Sequence, residues 1–156
     1  MSILNEYTEF KARLDVAVLS SLENDVAPAL IGGILASASI NVYNAYDPTR
    51  YIRRYNSGGL MDIKNYKTGI NAYGNLYQLT ITNETTGNPR YSTSKDGWDP
   101  GYITDIIETG VGYHWKHSEI YQSEPYPRPF MEEAFDFATN LDDLLYAGLA
   151  SRGFTE

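Results

Sequence analysis

Apolar residues recur at three- and four-residue steps in two long stretches of the chain and alternate strictly in one short stretch between them. The first stretch covers about residues 3–41, where Phe10, Leu14, Ala17, Val18, Ser21 and Leu22 keep helical spacing and Glu6, Glu9 and Lys11 fall on other faces. A long N-terminal helical region is therefore predicted. Pro28 lacks the amide donor, which predicts a kink or division near residues 25–27, with Asn24 or Asp25 capping a second helix. Beyond it, Ala29, Ile31, Gly32, Gly33, Leu35, Ala36, Ser37 and Ala38 are small or apolar on most sides. Such a segment suits close packing inside the subunit or against a neighbouring one.

The middle of the chain reads as a small sheet. Asp47-Pro48 and residues 56–59 are turn signals, and the alternation from Leu60 through Lys64 predicts the opening strand. Residues 71–75 form a turn, and residues 76–83 alternate most cleanly, with Tyr77, Leu79 and Ile81 on one face and Gln78, Thr80 and Thr82 on the other. This is the pattern of a half-buried antiparallel strand. Residues 84–100 are polar, lack periodicity and read as a long exposed loop.

Towards the end, Ile103, Ile106 and Ile107 share one face of a short helix that Gly110 and Gly112 terminate. Pro125, Pro127 and Pro129 stiffen the chain before a last helix predicted from Pro129 or Phe130 to about Ser151, with Glu132 and Glu133 in its first turn. Phe130, Ala134, Phe137, Ala138, Leu141, Leu144, Leu145 and Leu149 form its apolar stripe. The expected fold is α+β, a single domain over residues 1–156: a long N-terminal helical region, a small antiparallel sheet, and a C-terminal helix packed on that sheet.

Charge narrows the function. The chain has 20 acidic against 12 basic residues, a net charge of −8, which argues against sequence-independent nucleic-acid binding. The charge is also uneven: Arg50, Arg53, Arg54, Lys64 and Lys67 gather in the middle, while Glu132, Glu133, Asp136, Asp142 and Asp143 gather near the end. Such asymmetry either steers head-to-tail packing of like subunits or makes two solvated faces. Fourteen tyrosines favour an interaction protein over a small-molecule enzyme. There is no cysteine, hence no disulfide and no thiolate chemistry, in keeping with a reducing cytoplasm. The most apolar stretch, residues 27–40, is short and interrupted by proline, glycine and serine, so no membrane span is expected, and with no basic region followed by an apolar stretch at the N-terminus no signal peptide is expected either.

Candidate chemistry is thin. His114 and His117 are the only histidines and lack a third ligand nearby in sequence, so polar surface outweighs a metal site. Asp96 and Asp99 flank Gly97-Trp98 without EF-hand spacing. Asp105 and Glu108 are available as carboxylates, but nothing in the sequence sets them across a cleft, and Glu108 is expected to pair with a backbone donor or an arginine. No nucleophile elbow or phosphate-binding glycine loop occurs. No enzyme activity, metal or cofactor is expected.

Two motifs carry a family resemblance. Residues 46–62 read Tyr-Asp-Pro-x-x-Tyr-x-Arg-Arg-Tyr-x-x-Gly-Gly-Leu-x-Asp, and Ile107, Glu108, Gly110, Pro127, Arg128, Pro129, Phe130, Met131 and Ala134 make up the second. In this order, after a long N-terminal helix, they resemble the tail-completion, or neck, proteins of long-tailed bacteriophages. The resemblance implies a structural virion protein, made in the bacterial host cytoplasm, whose copies form a sixfold or twelvefold ring at the head–tail junction. Connector or stopper proteins and tail-tube or terminator proteins would be its partners, and DNA would pass through without specific binding. Arg53, Arg54 and Arg128 are the expected charged interface residues, and Tyr113, Trp115 and Phe130 the aromatic ones, with core packing the alternative for Trp115 and Phe130. Two other classes remain beside it: a tail terminator, and a carbohydrate-binding module using the tyrosines and Trp98.

Overall fold

A computed structural model describes residues 3–45, 47–48, 52–87, 101–112 and 126–155. The fold is α+β, with a long N-terminal helix, a two-stranded antiparallel sheet and a C-terminal helix. Helix α1 (Ile3–Ser21) runs into a π-helical turn (Leu22–Val26), then α2 (Ala27–Ser37) and a second π-helical stretch (Ala38–Tyr43). Pro28 accounts for the first of these turns. Its ring would strike the carbonyl four residues back in a regular α-helix, and inserting one residue per turn relieves that clash. Ala27 N–H accordingly bonds Leu22 O, five residues earlier. The helix thus continues through the proline, and Asn24 and Asp25 lie inside the wide turn with no capping role.

By length and composition the 41-residue helix would suffice to cross a membrane, yet much of its second half supplies the core. Ile34, Ala38 and Val42 meet Leu60, Tyr66, Ile107, Phe130 and Ala134 in one buried cluster. Gly33 allows this approach, since a Cβ there would lie 2.7 Å from Ala138 Cβ.

The sheet is one hairpin, β1 (Tyr66–Tyr73) and β2 (Leu76–Asn83), with Tyr66 opposite Asn83 and Tyr73 opposite Leu76. Along β2 the alternation holds as expected: Tyr77, Leu79 and Ile81 are half-buried, and Gln78, Thr80 and Thr82 are exposed. Gly74, at φ +66°, opens the two-residue turn. The opening strand, however, is not at Leu60–Lys64. Those residues form a turn followed by a 3₁₀ turn (Ile63–Asn65), because the Asp62 carboxylate accepts Gly58 N–H at 2.8 Å and Lys64 N–H at 3.1 Å and curls the chain.

Helix α3 (Thr104–Thr109) ends as expected at Gly110, φ +68°. The C-terminal helix differs from expectation in two ways. Residues 130–133 are a turn, and the helix is divided into α4 (Ala134–Phe137) and α5 (Leu141–Ser151). The break falls where Ala138 leaves helical geometry and Asn140 takes φ +60°, a left-handed conformation that asparagine tolerates. Division lets the two pieces cover different partners. α4 packs on α2, while α5 lies along α1 and its π-helical turn instead of across the sheet.

Candidate functional site

The two motif regions converge at the root of the hairpin. Tyr43, on the last turn of the long helix, accepts Leu60 N–H on its hydroxyl at 3.1 Å, and Tyr66 donates its hydroxyl to Leu60 O at 2.8 Å. Burial pushes both hydroxyls above the ordinary tyrosine range, strongly for Tyr66, so neither is primed as a nucleophile. Asn65 donates to Gly59 O at 2.9 Å and to Thr85 Oγ1 at 3.1 Å. Gly59 is required there, because a side chain would collide with the backbone of Tyr55 and with the Tyr43 hydroxyl. From the same knot, Ile103 N–H reaches Thr85 O at 2.8 Å, and the Thr104 hydroxyl lies 2.9 Å from Asn83 Oδ1 and 3.0 Å from Asn83 O. Helix α3 is therefore fastened to the end of β2 by buried short polar side chains.

Helix α3 in turn holds the proline-rich segment. Pro127 and Pro129 have no N–H, and the one between them, from Arg128, bonds Ile107 O at 2.9 Å. The Glu108 carboxylate then takes Met131 N–H at 3.0 Å and Glu132 N–H at 2.9 Å. A carboxylate from one helix thus satisfies the open amides of the next turn, as an N-cap would from within. Gly110 permits the approach, since a Cβ there would sit 2.6 Å from Pro127 N. The expected backbone partnership of Glu108 is what the structure contains.

The candidate interface residues divide. Arg53 donates to Tyr43 O and lies over the Tyr43 ring, 5.3 Å from its centroid, and the Tyr55 ring stacks on the same Tyr43 ring at 4.6 Å and 19°. Tyr55 holds φ +47°, a conformation rare for a side-chain-bearing residue. Arg54 donates to Thr86 O, across to the strand's exit. Arg128 is only 5% exposed, and Phe130 is wholly buried at the centre of the core. Arg53 and Arg54 thus bond within the chain at this junction, Arg128 is buried, and Phe130 packs in the core, the alternative held for it. Tyr113, Trp115, His114, His117, Asp96, Trp98 and Asp99 lie outside the described residues. Asp105 is exposed on α3, and Glu108 is committed to capping.

Sequence reasoning missed Asn65, Asn83, Thr85 and Thr104, the polar members of the knot. Short polar residues at element ends look like ordinary turn chemistry, and only the burial of Asn83, Thr85 and Thr104, with Asn65 half-buried beside them, sets them apart. The knot can hold hydrogen bonds and geometry. Among the described residues no three histidines or carboxylates gather to hold a metal.

The surface is the other candidate site. Ile3, Tyr7 and Phe10 follow one another at steps of four and three on α1, with Leu4 beside them, and all are exposed; Ile3 is 85% so. Ile63, Tyr73 and Leu76 are exposed on and beside the hairpin, as are Phe135 and Tyr146 on the C-terminal helices. Large apolar side chains are thus open to solvent on α1, the hairpin and the C-terminal helices.

In comparisons with known proteins, the family model described as YomN matches residues 6–150, from the first turns of α1 to the last turn of α5. No curated protein and no solved structure matches the chain.

Proposed function

The chain belongs to the phage-associated YomN family, and from that premise we propose that it is a structural virion protein of the head–tail junction, a neck or tail-completion component. Copies assemble in a ring, sixfold or twelvefold, between connector or stopper proteins on one side and tail-tube or terminator proteins on the other. The protein is made in the host cytoplasm and ends in the virion neck. Its role is assembly, with no catalysis, cofactor or membrane involved.

The observation that carries this reading is the exposed apolar stripe of α1 together with the exposed aromatics of the hairpin and C-terminal helices. Such surface costs solubility in a lone chain and is covered when subunits pack. The motif resemblance directs the assembly to the neck. The net charge of −8 fits a channel wall that repels DNA phosphates, so the duplex slides instead of sticking.

The test is electron microscopy of lysates from a phage lacking the gene. Full heads beside free tails of normal length are expected. Overlong tails would assign the terminator role instead, and joined, normal particles would overturn both, the more so if those particles fail to attach to carbohydrate on the host.

A further inference from the structure

We infer that the subunits join head to tail, the basic root and outer face of the hairpin of one copy seating on the acidic α4–α5 surface of the next. This rests on the ring reading above and names its joint.

The hairpin and the C-terminal tail meet α1 on different sides. The hairpin is tied to α1 through Tyr77, whose hydroxyl donates to Asp15, itself paired with Lys11 at 2.8 Å. The C-terminal segment is tied to α1 through Phe154, which meets the Phe10 ring at 5.9 Å and lies under the Arg13 guanidinium at 5.8 Å, beside Ala17. Arg13 and Ala17 each stand two residues from Asp15, so at about 100° per residue both point some 160° away from it. A joint that uses both sides is heterologous, and heterologous joints close into rings or run on as filaments.

The surfaces match in charge and in apolar content. Lys64 and Lys67 are exposed at the hairpin root, with Ile63, Tyr73 and Leu76 exposed along it. Glu132, Asp136, Asp142 and Asp143 are exposed on the other side, with Phe135, Phe137 and Tyr146. Among the described residues neither set forms an ion pair within 4 Å, and Lys64 feels the Asp62 carboxylate beside it. A second copy supplies an apolar, oppositely charged partner for each surface, and like surfaces repel, which sets the direction of packing.

The absence of native cysteine makes the joint testable by disulfide trapping. The full-length chain carrying both Lys67→Cys and Asp142→Cys, oxidised at high protein concentration, is expected to give a ladder of covalent oligomers. Each single variant should give no more than background dimer, and an equal mixture of the two singles should give dimer well above it. Charge reversal supplies the second arm. Lys64→Glu with Lys67→Glu, or Asp142→Lys with Asp143→Lys, should each lower spontaneous association about tenfold, and mixing the two reversed proteins should restore it. Equal trapping in the single variants would show a symmetric contact and overturn the joint. So would no ladder in the double variant, or no rescue on mixing. None of these outcomes depends on the deletion micrographs, so the joint and the neck assignment fail separately.

Discussion

The two halves of the long helix obey the same apolar periodicity and end in different circumstances. From Val26 to Val42, six helix positions besides the glycine are buried, and Ile34, Ala38 and Val42 among them meet the hairpin root, α3 and α4. From Ile3 to Val16 no residue is buried, and Ile3, Leu4, Tyr7, Phe10 and Val16 face solvent. The first half is held by a few separate ties: Tyr77 to Asp15, Phe154 to Phe10, and Arg152 to Asp25 at 2.8 Å. Periodicity states that a face must be covered and is silent on what covers it. In the second half the cover is this chain. For the first half, the proposed partners on either side of the ring supply it.

Breaking the covered half should give the largest effect. Phe130→Ala removes a fully buried ring from the centre of the core and is expected to cost about 3–5 kcal/mol. A loss of that size consumes much of the stability of a domain this long, so the urea midpoint should fall sharply or the variant should not accumulate as folded protein. Next is Glu108→Ala, which leaves the Met131 and Glu132 amides without their carboxylate and is expected to cost about 1–2 kcal/mol. Hydrogen exchange should show the 130–133 turn opening while the hairpin keeps its protection.

The tie between α5 and α1 is weaker and should break locally. Arg152 reaches Asp25, Ser20 Oγ and Gly148 O, and Gly148 lets α5 approach until its Cα faces Ser21 and Asp25. Arg152→Ala is expected to cost about 1 kcal/mol, since the group is partly exposed. Its signature is faster proteolysis within residues 139–155 at nearly unchanged global stability.

These comparisons also show what the sequence could reveal. The strand at residues 76–83, the Gly110 helix stop and the backbone pairing of Glu108 were legible because each depends on local chemistry: alternation, positive φ, and a carboxylate near amides without acceptors. The start of the sheet was misread at Leu60–Lys64 because Asp62 side-chain bonding competes with alternation, and five residues cannot show which wins. The last helix looked continuous because the Phe130–Leu149 stripe survives the break at Asn140. What changes there is the partner, α2 for one piece and α1 for the other, and that is a tertiary fact. The polar knot of Asn65, Asn83, Thr85 and Thr104 was invisible for the same reason.

Acid should loosen the hairpin root before neutral pH does anything. Two backbone amides, from Gly58 and then Lys64, hold the Asp62 carboxyl below the ordinary carboxylate range, and the Lys11 and Tyr77 side chains do the same for Asp15. A group whose pKa is depressed on folding stabilises the fold above its unfolded value, about 3.9, and loses that contribution as pH falls through the folded value. Stability should therefore be flat near neutrality and decline below about pH 4. Asp62→Asn should start lower at pH 7 and decline less steeply, which urea midpoints at neutral and acid pH would show. An acid limb identical to that of the wild type would remove Asp62 from this account.

The smallest effect on stability is expected where the proposed effect on function is greatest. Ile3, Leu4 and Tyr7 lie on the uncovered stripe of α1, and serine at all three removes apolar surface that the lone chain never buries. Each change should shift folding stability by no more than about 0.5 kcal/mol, apart from a small loss of helix propensity. The thermal midpoint of the isolated protein should stay close to wild type, and its solubility should rise. In a phage supplied only with this variant, free heads and free tails should accumulate. The opposite pairing, a fall in thermal midpoint with normal particles, would mean that the stripe serves the chain's own fold. The contrast between the two halves of the helix would then be one of degree.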